Sequence, residues 1–152
     1  MRKRGALSQA LGRSRGGFGT KALAAADANG RAALFALLPG QASEVKAAPA
    51  LLDRLRALAA VGRVVCDKGY SSGPWRAIIQ AAGAEPCVPG QPTHPRAPPH
   101  DRSAYARRHR IENLWARLKE WRAVATRYDK TASSFTGGLH LAASLDWLSN
   151  RP

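Results

Sequence analysis

The chain has 152 residues and carries 24 Lys and Arg against 10 Asp and Glu, a formal net charge of +14. That length suits one domain able to hide roughly two-thirds of its unfolded surface, and so large a cationic excess needs a polyanion nearby, nucleic acid before an anionic membrane. No run of about 18 apolar residues exists, and the basic start Met1-Arg2-Lys3-Arg4 leads into no apolar stretch, so neither a membrane span nor a secretory leader is expected.

Residues 1–17 read as a basic, glycine-rich lead-in ending in Gly12-Arg13-Ser14-Arg15-Gly16-Gly17, with the organised domain over 18–150. A hairpin is predicted first. Residues 18–26 and 31–38 are its arms and Asp27-Ala28-Asn29-Gly30 its turn, because Asn-Gly tolerates the positive φ of a tight connection. Pro39-Gly40 closes the second arm. A helix follows, starting within 44–49 and running to about 60, with Leu51, Leu52, Leu55 and Leu58 at helical spacing and Pro49 in its first turn.

Val64-Val65-Cys66 is a short buried-strand signal that runs into Asp67-Lys68-Gly69-Tyr70. Ser71 or Ser72 can cap a second helix carrying Trp75, Ile78 and Ile79, which stops at Gly83. Residues 85–89 form a short edge strand interrupted by Pro86 and Pro89. Four prolines, at 92, 95, 98 and 99, make 90–102 an exposed loop. Ser103 can cap a third helix over about 104–122, and a last helix over about 132–149 turns Phe135, Leu139, Ala142, Leu145 and Leu148 inward. Alternating strands and helices predict an α/β domain. Cys66 and Cys87 match neither a disulfide framework nor a zinc spacing and are expected to be reduced core thiols.

The third helix carries the most chemistry. With Tyr105 at zero and about 100° per residue, Arg108 falls near 300°, Glu112 near 340°, Trp115 near 280° and Lys119 near 320°. One face thus presents a phenol, a guanidinium, a carboxylate and an ammonium beside an apolar arc of Ile111, Leu114 and Leu118. A solvated face with an Arg108–Glu112 ion pair is the plain alternative. Asp67 stands at the carboxyl end of a short apolar strand, where ligands gather in open α/β sheets; a turn-capping aspartate is the competing reading. His109 and His140 are expected in packing or backbone contacts.

Tyr105, two residues, Arg108, three residues, Glu112, six residues, Lys119 resembles the pattern of a large group of DDE transposases from bacterial insertion sequences. Asp67-Lys68-Gly69-Tyr70 is similar to the group's second acidic motif. Gly12 to Gly17, Thr20-Lys21, Pro39-Gly40-Gln41-Ala42, Arg127-Tyr128-Asp129-Lys130 and Leu139-His140-Leu141-Ala142 extend the likeness over about residues 9–149.

The resemblance implies a ribonuclease-H-like fold and two-metal phosphoryl transfer, with Mg2+ or Mn2+ as cofactor. Asp67 and Glu112 would be the catalytic residues and metal ligands, expected to approach each other across a cleft. Arg108 and Lys119 would hold phosphates, Tyr105 would orient or stack beside one, and Arg13, Arg15 and Lys21 would add DNA contacts. Partners would be double-stranded DNA, as transposon ends and target, with a homodimer or an upstream-frame polypeptide as a further partner. The place would be the cytoplasm, at the nucleoid.

One departure stands out. The group carries a first catalytic aspartate on a central strand upstream of Gly12, and here nothing acidic precedes Asp27, which sits in the hairpin turn. The domain is therefore expected to be incomplete at its first strand and nearly inactive alone. A decayed fragment, a downstream frame joined by frameshifting and a misplaced start codon all fit. A basic DNA-binding protein without catalysis is the alternative; it explains the charge but not the ordered acidic motifs.

Overall fold

The computed structural model describes residues 9–91 and 98–149. The basic cluster Arg2-Lys3-Arg4 and the prolines Pro92 and Pro95 lie outside them. In chain order the elements are β1 (Gly12–Ser14), β2 (Gly17–Ala26), β3 (Ala32–Pro39), α1 (Glu44–Leu58) and β4 (Arg63–Val65). A 3-10 turn (Lys68–Tyr70) precedes α2 (Gly73–Ala81), β5 (Glu85–Cys87), α3 (Arg102–Ala106), α4 (His109–Lys119), α5 (Arg122–Ala125) and α6 (Ala132–Leu148). The mixture is α/β, as the alternation of patterns predicts. Two compact units divide the chain, one of residues 1–44 with 110–152, the other of residues 45–109. No described helix is long and apolar enough to cross a membrane.

In the first unit, β1, β2 and β3 form an antiparallel sheet in that order. The β2–β3 hairpin is the predicted one. Gly30 takes a φ of 79° in its turn, a conformation that strains any residue with a Cβ. Asp27 fixes the turn: its Oδ1 accepts from the Asn29 and Arg31 amides at 2.8 and 2.9 Å. Upstream, the structure adds a strand where only a lead-in is expected, since Gly12, Arg13 and Ser14 pair with Gly19, Phe18 and Gly17. The core of this unit joins Phe35 of β3 to Leu114, Leu118, Phe135 and Leu139, the leucines essentially sealed from solvent.

The end of α6 departs from expectation. Leu145 and Leu148 are 39% and 80% exposed rather than inward. The inward stripe of Phe135, Leu139, Ala142 and Ala143 continues at helical spacing to Asp146, a polar anchor that an apolar pattern cannot show. Trp147 beside it donates from Nε1 to the Ala32 carbonyl at 2.8 Å.

In the second unit, Ala48 and Leu52 of α1 pack with Trp75, Ile79 and Ala84. Helix α1 begins at Glu44, so Pro49 lies in its second turn and not the first; having no N–H, it cannot return a bond to the preceding turn. Strands β4 and β5 pair in parallel, with Pro86 opposite Val64. Ser72 caps α2, its hydroxyl accepting from the Trp75 amide at 3.3 Å, and Gly83 ends it at a φ of 78°.

The predicted single helix over 104–122 is broken. It starts earlier, capped by Asp101 instead of Ser103, and α3 stops at Ala106. Arg107 and Arg108 donate to the carbonyls of Ala104 and Tyr105, the tightened bonds of a closing turn. His109 Nδ1 lies 2.7 Å from the Ala106 carbonyl, competing for the acceptor that a continuous helix gives to the Arg110 amide. A new helix, α4, starts at His109.

Candidate functional site

Asp67 follows β4 directly. The Cys66 amide donates to the Cys87 carbonyl at 3.2 Å, so the ladder runs to the residue before it. There the chain turns, and Asp67 caps the 3-10 turn by accepting the Gly69 amide on Oδ1 at 2.6 Å. A Cβ on Gly69 would stand 2.8 Å from that oxygen, so the close approach depends on glycine. The loop is held from behind. Arg76, buried, donates to the Ser71 hydroxyl at 3.1 Å and to the Val88 carbonyl at 2.7 Å. Gln91 donates to the Lys68 carbonyl at 2.9 Å. The result is an exposed carboxylate whose orientation is set by the turn it caps.

The neighbouring thiol offers no such chemistry. Burial pushes Cys66 up to about 11, so the free thiol stays protonated at neutral pH and is a poor nucleophile. Cys66 and Cys87 are both free, Cys87 fully buried, in line with the expected core thiols.

Tyr105 and Arg108 belong to α3 and the turn after it. The Tyr105 ring meets the His100 ring edge-on at 5.2 Å, and the Arg108 guanidinium lies 5.9 Å from its centroid. Asp101 anchors the helix. Its acceptance of the Ala104 amide, then of the Ser103 hydroxyl and amide, with Arg63 nearby, holds its carboxyl down at about 2. Arg63 bridges Asp101 at 3.1 Å and Glu85 at 2.6 Å.

Glu112 and Lys119 lie on α4, both exposed. Seven residues apart, they share one face, and Leu114 and Leu118 bury another. Glu112 stands in the first turn, where the helix terminus favours a carboxylate. The break before His109 means that the four-residue pattern is not one helical column: Tyr105 and Arg108 form one pair, Glu112 and Lys119 another. Asp67 belongs to the second unit and Glu112 to the first. Among the described residues, no group of three or more His, Cys, Asp or Glu is placed to hold a metal ion.

Of the remaining basic candidates, Arg13 and Arg15 are exposed, at β1 and the turn after it. Lys21 is engaged, 3.4 Å from Glu44 and 3.1 Å from the Ala42 carbonyl. Several arginines turn out to be structural. Arg127 donates to the carbonyls of Gln9 and Asp129 and to the Thr20 hydroxyl, with its guanidinium 5.5 Å from the Phe135 centroid. Neither this role nor that of Arg76 is signalled by the sequence, where Arg127 stands only as part of the Arg127-Tyr128-Asp129-Lys130 motif. The histidines fall where expected: His109 on a backbone carbonyl, His140 edge-on to Phe35 at 5.4 Å.

Comparison with known proteins supplies the family. The model of the transposase DDE domain matches residues 8–147. A Brucella ovis protein, named as the transposase for insertion sequence element IS6501, is 34% identical over 130 residues, 85% of this chain and 98% of the relative. No solved structure matches the chain significantly. Matched by the family model over nearly its whole length, the chain belongs to the DDE transposase domain family of insertion-sequence elements.

Proposed function

We propose that this chain contributes to divalent-metal-dependent cleavage and joining of DNA strands at insertion-sequence ends, within a ribonuclease-H-like fold, and that Asp67 and Glu112 are its metal ligands. The observation that carries the reading is Asp67: an exposed carboxylate one residue past a strand, oriented by the Gly69 amide at 2.6 Å. The donor chemistry suits the ion. Mg2+ takes hard oxygens, keeps several waters and is commonly held by one or two carboxylates plus substrate phosphates. Bound there, it would polarise a phosphodiester oxygen and lower the pKa of an attacking water.

The chain's own cations do the rest. Arg108 and Lys119 bind phosphates flanking the scissile bond; Tyr105, its ring already set by His100 and Arg108, supplies a hydroxyl to one of them. Exposed Arg13 and Arg15 hold the duplex further out, with Lys21 available once released from Glu44. Two carboxylates are marginal for two cations, so residues 1–152 alone are expected to cleave DNA weakly until a third carboxylate is supplied. The reaction takes place in the cytoplasm, on nucleoid DNA.

The test is Mg2+-dependent nicking of duplexes that end in the element's terminal inverted repeats, by this chain with and without an added aspartate-bearing upstream segment. Cleavage at the repeat boundary that needs the added aspartate and is lost in Glu112→Gln supports the reading. Equal cleavage by Glu112→Gln and the unaltered chain overturns it.

A further inference from the structure

The hairpin turn at residues 27–30 does more than reverse the chain. Two arginines of α4 reach it. Arg110, two residues before Glu112, donates to the Ala28 carbonyl. Arg117, five residues after Glu112, donates from Nη2 to the Gly30 carbonyl at 3.0 Å. Arg117 is in turn gripped by α6: Nε meets Asp146 Oδ1 at 2.6 Å and Nη2 meets Oδ2 at 3.1 Å. The turn lies directly on the helix, because a Cβ on Gly30 would stand 3.0 Å from the Arg110 Cβ.

At about 100° per residue, Arg110 and Arg117 fall about 20° apart on α4, and Glu112 projects from roughly the opposite side. Apolar packing by Leu114 and Leu118 holds the helix against the core but tolerates small rotations. Hydrogen bonds to fixed carbonyls and a forked carboxylate do not, since both weaken steeply off-axis. We infer that Arg110, Arg117 and Asp146 are positioning residues that lock the rotation of α4 onto the hairpin turn, and so aim the Glu112 carboxylate. The inference rests on the reading of Glu112 as a metal ligand.

The test is Mn2+ titration of the full 152-residue chain, followed by loss of the free-ion electron paramagnetic resonance signal, with thermal melting alongside. Glu112→Gln should weaken Mn2+ binding about tenfold or more with little change in melting. Arg117→Lys keeps the charge but not the fork, and Asp146→Asn keeps the shape but not the charge. Both should weaken binding roughly tenfold, the size of effect typical of groups that orient a ligand, in protein still folded at the assay temperature. Asp146→Glu should recover most of the loss. If Arg117→Lys does not stay folded, Asp146→Asn decides alone, because it leaves Arg117 and its bond to Gly30 in place. Unaltered affinity in folded Asp146→Asn, with loss in Glu112→Gln, overturns the positioning role. Unaltered affinity in Glu112→Gln overturns the metal-ligand reading itself.

Discussion

Arg117 and Asp146 form a two-point ion pair, at 2.6 and 3.1 Å, with side chains only 17% and 8% exposed. Removing one partner strands the other charge away from water. Asp146→Ala should therefore cost about 3 kcal/mol of stability, read as a lower urea midpoint. The double change Arg117→Met with Asp146→Leu should regain most of it, since no orphan charge remains. A double variant as unstable as Asp146→Ala would contradict this.

Gly69 predicts a separation of fold from function. Its substituted Cβ would press 2.8 Å from Asp67 Oδ1, an exposed carboxylate that can swing aside while the braced loop stays in place. Gly69→Ala should melt within a few degrees of the unaltered chain yet lower metal-dependent cleavage, in a system supplied with the third carboxylate, by about tenfold or more. Unchanged cleavage would show that the orientation of Asp67 is immaterial.

Asp101 gives a pH dependence. Its carboxyl titrates at about 2 in the folded chain against an ordinary 3.8, so the cap stabilises above about pH 4 and that contribution fades as pH falls through about 2. The stability difference between the unaltered chain and Asp101→Ala should be constant from neutral pH to about 5 and shrink below about 4. A difference that persists at pH 2 would argue against charge as its source.

DNA binding should be steeply salt-dependent. Each phosphate contact contributes about 0.9 to the slope of log affinity against log salt, so Arg13→Ala with Arg15→Ala should flatten it by about 2. A slope unaltered by the pair would place both residues away from the duplex.

The β2–β3 hairpin, the Ser72 cap and the strand leading into Asp67 were legible because local chemistry decides them: Asn-Gly in a turn, a hydroxyl before Pro74, apolar residues ending in an acid. The break at Arg107–Arg108 was not, because His109 takes a backbone acceptor that no periodicity records. Nor were the burial of Arg76 and the structural contacts of the half-buried Arg117 and Arg127, since an arginine that braces the fold reads like one on its surface until its partners are known. Asp67 and Glu112 were singled out by motif, whereas the contacts around them, Gly69 beside Asp67 and Asp146 behind Arg117, depend on a single glycine or on residues distant in sequence.

Whether Asp67 and Glu112 act on the same metal ions, as proposed, is tested most directly by a double-mutant cycle on Mn2+ binding. Calorimetric titration would compare the full chain with Asp67→Asn, Glu112→Gln and the two combined, each checked for folding by circular dichroism. Ligands of a shared ion are coupled. Each single change should remove most of the binding, about tenfold or more, and the combination should remove little further. Losses that simply multiply, or a single variant that binds Mn2+ as the unaltered chain does, would contradict the shared site.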